Sequence, residues 1–168
     1  YLTTYNEDGS EGPRHRIDQD LRIGNLVDAE NDGQPQANSF GDDINGVDDE
    51  DGIIPPAVII RDKPAIFQVF VTNKTGAPAY LQGFVDWDDD GDFEDDVTFT
   101  KAPLITIPAD SSGYFEVEFM VPTVPIPLPD RVAARFRLSN EDQDVTFSFG
   151  PAAAALADDI LGEVQDLY

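Results

Sequence analysis

The chain has 168 residues, with 34 Asp and Glu against 10 Lys and Arg, a formal net charge of −24 and no cysteine. That balance argues against a nucleic-acid partner, which needs clustered bases, and against an anionic membrane surface. Disulfides, thiolate catalysis and zinc–sulfur sites are excluded.

The length suits one domain, and no run reaches the roughly 18–20 apolar residues of a membrane helix. Residue 1 is Tyr and not an initiator Met, so a fragment or processed piece is expected. Residues 1–52 are polar and rich in Gly, Asp and Asn. They read as an irregular acidic arm with one short strand near Leu21 to Leu26. Residues 53–168 read as the core of the same single domain. The segments AVIIR (57–61), AIFQVFVTN (65–73), AYLQGFVDW (79–87), VTFT (97–100), LITIP (104–108), GYFEVEFMV (113–121) and RVAARFRLS (131–139) are rich in β-branched and aromatic residues. DVTFSFG (144–150) is a further candidate strand. Phe115, Val117, Phe119 and Val121 alternate with Tyr114, Glu116, Glu118 and Met120. Val132, Ala134, Phe136 and Leu138 alternate in the same way with Arg131, Ala133, Arg135 and Arg137. Short alternating strands punctuated by Gly, Pro, Asn and Asp predict an all-β antiparallel sandwich, Ig-like or jelly-roll-like. PTVPIPLPD (122–130) is expected to cross between strands as an extended polyproline-like segment. PAAAALADDILGEVQDLY (151–168) is expected to hold one short helical turn before an extended end at Glu163 to Tyr168.

The charge is clumped. Eight acids fall within the eleven positions of DWDDDGDFEDD, Asp86 to Asp96, with no base among them. Such crowding needs either full solvation in a loose loop or a bound cation. The alternation of Asp86, Asp88 and Asp90, with Gly91 next, follows the front half of a D-x-D-x-D-G calcium loop. Carboxylates at alternate positions of a curled loop can point inward together, and glycine permits the sharp turn after the third. Asp92 would offer its backbone carbonyl. A helix–loop–helix site wants Glu at the twelfth position, which is Val97, so Asp95 and Asp96 are expected to close the shell from a different loop shape. The strand-like flanks also argue against paired helices. Trp87 reads as a packing residue.

A second run, Asp28, Glu30, Asp32 and Gly33, repeats the spacing, and GDDINGVDDEDG (41–52) follows. Nine acids and no base lie between Asp28 and Asp51. Asp42, Asp43, Asp48, Asp49 and Asp51 join the candidate ligands, with glycines to aim them. A mobile acidic tether is the alternative. Glu163 and Asp166 form a third candidate pair, able to complete a shell supplied from elsewhere.

Catalysis finds little support. His15 is the only histidine, and its place in GPRHR reads as structural. No GxSxG, phosphate loop or dinucleotide fingerprint occurs. Among 34 acids, carboxylate pairs arise by chance.

The order of these motifs resembles the GEVED domain of large secreted and surface-attached bacterial proteins. The resemblance rests on GPRH (12–15), VDAENDG (27–33), GDDINGVDDEDG (41–52), VTN (71–73), FVDWDDDGDF (84–93), ARFRLS (134–139) and GEVQD (162–166), and spans nearly the whole chain. Gln165 stands where the family has Glu, Leu167 separates Asp166 from Tyr168, and Phe84 replaces a frequent Trp. The resemblance implies a calcium-bearing β-sandwich accessory module, extracellular or on the bacterial cell surface, without enzymatic activity. More than one Ca²⁺ is expected. Neighbouring domains of a larger surface protein are the expected partners, with glycans or a surface ligand as further options. The alternative function is a carbohydrate-binding module with structural calcium, whose aromatic platform would draw on Tyr80, Trp87 or Tyr114.

Overall fold

The computed structural model describes residues 18–25, 52–88, 99–101, 103–123, 132–141 and 162–167; residues 99–101 and 162–167 are described by their strand pairing. Two antiparallel sheets pack face to face as an all-β sandwich, and no helix occurs among the described residues. The first sheet holds β1 (Leu21–Ile23), β2 (Ile53–Ile54), β3 (Pro64–Asn73) and β7 (Ser111–Met120). The second holds β4 (Ala79–Asp86), β5 (Phe99–Lys101), β6 (Ile105–Ile107), β8 (Ala133–Ser139) and β9 (Gly162–Leu167).

β3 organises the first sheet. One side pairs with β7 along its full length, from Pro64 opposite Met120 to Asn73 opposite Ser111. The other side is shared by β1, opposite Val71 to Asn73, and β2, opposite Gln68 and Val69. The handover falls at Phe70. Its N–H donates to the Gly52 carbonyl at 2.8 Å, and its carbonyl accepts from the Gly24 N–H at 2.8 Å. Gly24 takes φ +77° there, a left-handed turn that suits glycine. β4 plays the matching role in the second sheet. It pairs with β8 on one side and with β5 and β6 on the other, and β8 in turn pairs with β9.

The two-residue period of the sequence decides which side chains meet between the sheets. Phe67, Val69 and Val71 from β3 and Val117 and Phe119 from β7 face Leu81, Val85, Trp87, Phe136 and Leu138, all fully buried. Phe67 lies edge-on to Phe119 with ring centroids 5.5 Å apart, and 5.3 Å from Phe136 at a tilt. Phe119 also meets Phe136 at 6.3 Å and Trp87 at 6.5 Å, both edge-on. Edge-to-face contacts of this kind add about 0.5–1.5 kcal/mol per pair beyond area burial. Gly83 leaves the room that this ring cluster fills.

The seven strand segments of the C-terminal two-thirds form as expected, with one exception. AVIIR (57–61) is not a strand. Pro55 and Pro56 precede it, and proline lacks the donor a ladder needs. The Asp62 N–H bonds to the Val121 carbonyl at 3.2 Å, and the Val121 N–H to the Lys63 carbonyl at 3.1 Å. Asp62 turns the chain with φ 59°, a left-handed value that Asp tolerates. The segment is thereby tied to the end of β7 as a loop. β2 is a strand that the sequence did not announce. The polyproline crossing beyond Thr123, the strand at 144–150 and the helical turn near 151–161 lie outside the described residues, as do His15 and most of the arm.

Candidate functional site

β4 delivers the acidic run to one end of the sandwich. Asp86 is its last residue and lies opposite both Phe99 of β5 and Ala133 of β8. β4 and β5, on either side of residues 87–98 in the sequence, are therefore paired neighbours in one sheet. Asp86 is 1% exposed. Its Oδ1 accepts the Asp88 N–H at 3.1 Å, a side-chain turn that curls the chain at the start of the loop. Trp87 packs inward at 1% exposure and pins the same corner to the ring cluster. The loop is thus rooted in the core at its first two residues.

Asp86 and Asp88 are the only expected ligands whose side chains are described. Asp90, Asp92, Asp95 and Asp96 lie outside the described residues, as do Asp28, Glu30, Asp32, Asp42, Asp43, Asp48, Asp49 and Asp51. Among the described residues, no three Asp, Glu or His side chains form a group able to hold a metal. Glu163 and Asp166 are placed by the register of β9. Asp166 stands opposite Arg135, and Glu163 opposite Leu138. Arg135 lies one rung from Asp86, since Phe84 faces Arg135 and Asp86 faces Ala133. Asp166 therefore comes to the rung beside Asp86, with β8 between them. Glu163 sits further along the sheet, opposite a core position. Asp86 and Asp88 offer carboxylate oxygens, the donors that hard cations take.

The outward side of the second sheet holds a feature the alternation did not foretell. Gln82, Phe84 and Asp86 of β4 and Ala133, Arg135 and Arg137 of β8 point away from the core by register, yet all are buried. Arg135 is 1% exposed and Arg137 0%. Period-two patterning assigns a residue to a face; it does not say whether that face meets solvent. The arginines that alternate with the apolar residues of β8 are buried as well.

Asn73, the last residue of the VTN motif, is a second buried polar group, and it is satisfied locally. Its Nδ2 donates to the Ala77 carbonyl at 2.8 Å and the Pro108 carbonyl at 3.1 Å. Its Oδ1 accepts the Thr75 N–H at 3.1 Å and the Thr75 hydroxyl at 2.8 Å. One amide thus closes the β3–β4 turn and fastens it to the end of β6. Gly76 in that turn takes φ +76°.

Of the three aromatics considered for a sugar platform, Trp87 is removed by its burial, which serves the core instead. Tyr80 is half-buried, and Tyr114 is 56% exposed. No helix among the described residues is long and apolar enough to cross a membrane. Comparisons with protein-family models, with curated proteins and with solved structures found no match.

Proposed function

We propose that this chain is a calcium-binding, calcium-stabilised β-sandwich module of a secreted or surface-attached bacterial protein, with a structural or adhesive role and no catalysis of its own. The observation that carries the reading is the root of the acidic loop. A fully buried carboxylate at the end of a central strand turns the chain into a run of eight acids within eleven residues. Carboxylates spaced so closely repel one another unless a cation joins them. Asp86, Asp88, Asp90, Asp92, Asp95 and Asp96 would hold one ion; Asp28, Glu30, Asp32, Asp42, Asp43, Asp48, Asp49 and Asp51 would hold one or more others, with Glu163 and Asp166 able to complete a shell. When bound, the ion supplies the positive charge that fixes the loop ends to the sheet. The motif order shared with GEVED domains supports the extracellular setting, where calcium is abundant enough to fill weak sites. An ion that binds the folded chain alone stabilises it by about 2.7 kcal/mol at a hundredfold excess over Kd.

The test is a thermal melt titrated with calcium, magnesium and chelator. Calcium is expected to raise the Tm by several degrees at concentrations where magnesium does little. Equal responses to the two ions would reduce the effect to charge screening and refute a specific site.

A further inference from the structure

The outward face of the first sheet contrasts with its counterpart. By register it consists of rungs: Thr72 with Ser112, Phe70 with Tyr114, Gln68 with Glu116 and Ile54, Ile66 with Glu118, and Pro64 with Met120. Four of the exposed large hydrophobics of the described residues stand on these rungs: Ile54 (44%), Ile66 (37%), Tyr114 (56%) and Met120 (55%). Phe70 is half-buried and meets the Tyr114 ring at 5.1 Å, edge-on. The sandwich core takes none of these side chains, so folding does not account for them. Exposed apolar side chains gathered on one sheet face, with Gln68, Glu116 and Glu118 interleaved, suit an interaction surface.

The charges on the face limit what can cover it. Glu116 and Glu118 are exposed and lie among the apolar rungs. Among the described residues, the base on this face is Arg22, which turns back on its own strand, donating to the Asn25 carbonyl at 3.0 Å and to the Gln19 carbonyl. A second copy would set glutamate against glutamate across two chains of charge −24. A sugar ring wants a flat aromatic face with polar neighbours. Here the rings cross at 69° and the neighbours include Ile54, Ile66 and Met120.

We propose that this face docks a protein partner whose contacting side alternates apolar residues with Lys or Arg. The apolar residues would cover Ile54, Ile66, Tyr114 and Met120, and the bases would meet Glu116 and Glu118. The site lies on the other sheet from the acidic loop and does not depend on a metal.

The test uses the full chain and three synthetic peptides: Lys alternating with Val, Lys alternating with Ser, and Glu alternating with Val. Binding is measured by calorimetry at physiological salt. The Lys–Val peptide is expected to bind best. A double variant, Ile66→Ser with Tyr114→Ser, should weaken it by about tenfold or more, as loss of central apolar contacts does. Glu116→Gln with Glu118→Gln should weaken it as well, whereas Asp110→Asn with Glu141→Gln, equal in charge but off the face, should not. All these positions are exposed or half-exposed, and melts establish that each variant folds. Equal binding of the Lys–Ser peptide, or unchanged binding by both face variants, would overturn the proposal in favour of bulk charge attraction. Dimerisation in sedimentation runs that Tyr114→Ser abolishes would overturn it in favour of a second copy. Binding from a glycan panel, lost in Tyr114→Ser, would overturn it in favour of a sugar.

Discussion

A methyl group on Gly83 would stand 2.7 Å from Cζ of Phe119. It would also meet Phe136 Cε1 at 2.9 Å and Val117 Cγ1 at 3.1 Å. Gly83 is thus a contact surface: the missing side chain is the space in which rings from both sheets interlock. Gly83→Ala is expected to destabilise the fold by about 1–3 kcal/mol through overpacking, and Gly83→Val by more. Urea melts check this. A Gly83→Ala variant as stable as the parent would show that the rings have room to shift.

Asn73 gives a second prediction. Asn73→Ala removes donors to the Ala77 and Pro108 carbonyls and the acceptor for Thr75. Buried groups left without partners cost about 1–3 kcal/mol each. Asn73→Asp keeps the acceptor and loses both donors, so it should also destabilise, with a carboxylate facing carbonyl oxygens at neutral pH. A denaturation series on the two variants is the measurement. An Asn73→Asp variant as stable as wild type would rule out the donor role.

The chain has one tryptophan, and it is Trp87, 1% exposed beside Asp86 and Asp88. Its emission should be blue-shifted and resist quenching by acrylamide. Because it roots the acidic loop in the core, its signal should also respond to calcium. A strongly quenched, red-shifted Trp87 would contradict the packing described for β4.

Arg135 and Arg137 should be costly to remove. Truncating a buried charge leaves its surroundings uncompensated, at about 3–5 kcal/mol. Arg135→Ala and Arg137→Ala are each expected to lower the Tm well beyond the effect of Arg22→Ala, at a half-buried position in the middle of β1. Similar small shifts for all three would mean that the outward face of the second sheet opens easily. Arg137→Lys should not rescue fully, because an ammonium cannot present the planar fork of a guanidinium.

Much of the fold was legible because alternation is local. Phe115, Val117, Phe119 and Val121 announce a strand and its buried side without any knowledge of what lies across from them. The same pattern misled at AVIIR, where composition favours a strand but two prolines and a left-handed Asp62 make a tied loop. It was silent at Ile53 and Ile54, too short a pair to show a period. It did not show the burial of Arg135 and Arg137, since burial of an outward face depends on segments far away in sequence. The root of the acidic loop was legible from Trp87 and the end of an apolar strand. The placement of Asp166 opposite Arg135, one rung from Asp86 and across β8 from it, was not, because pairing between β8 and β9 joins residues separated by a long connection.

That last pairing has a consequence for synthesis. β9 completes the second sheet against β8, and it also lies alongside β1. Residues near 21 thus find their neighbours near 165. β1 can pair with β3 early, but its contact with β9 closes only once the far end of the chain has been made. Closure across so great a sequence distance is slow. The dense negative charge offers protection during the delay, since molecules that repel one another are poor at clumping.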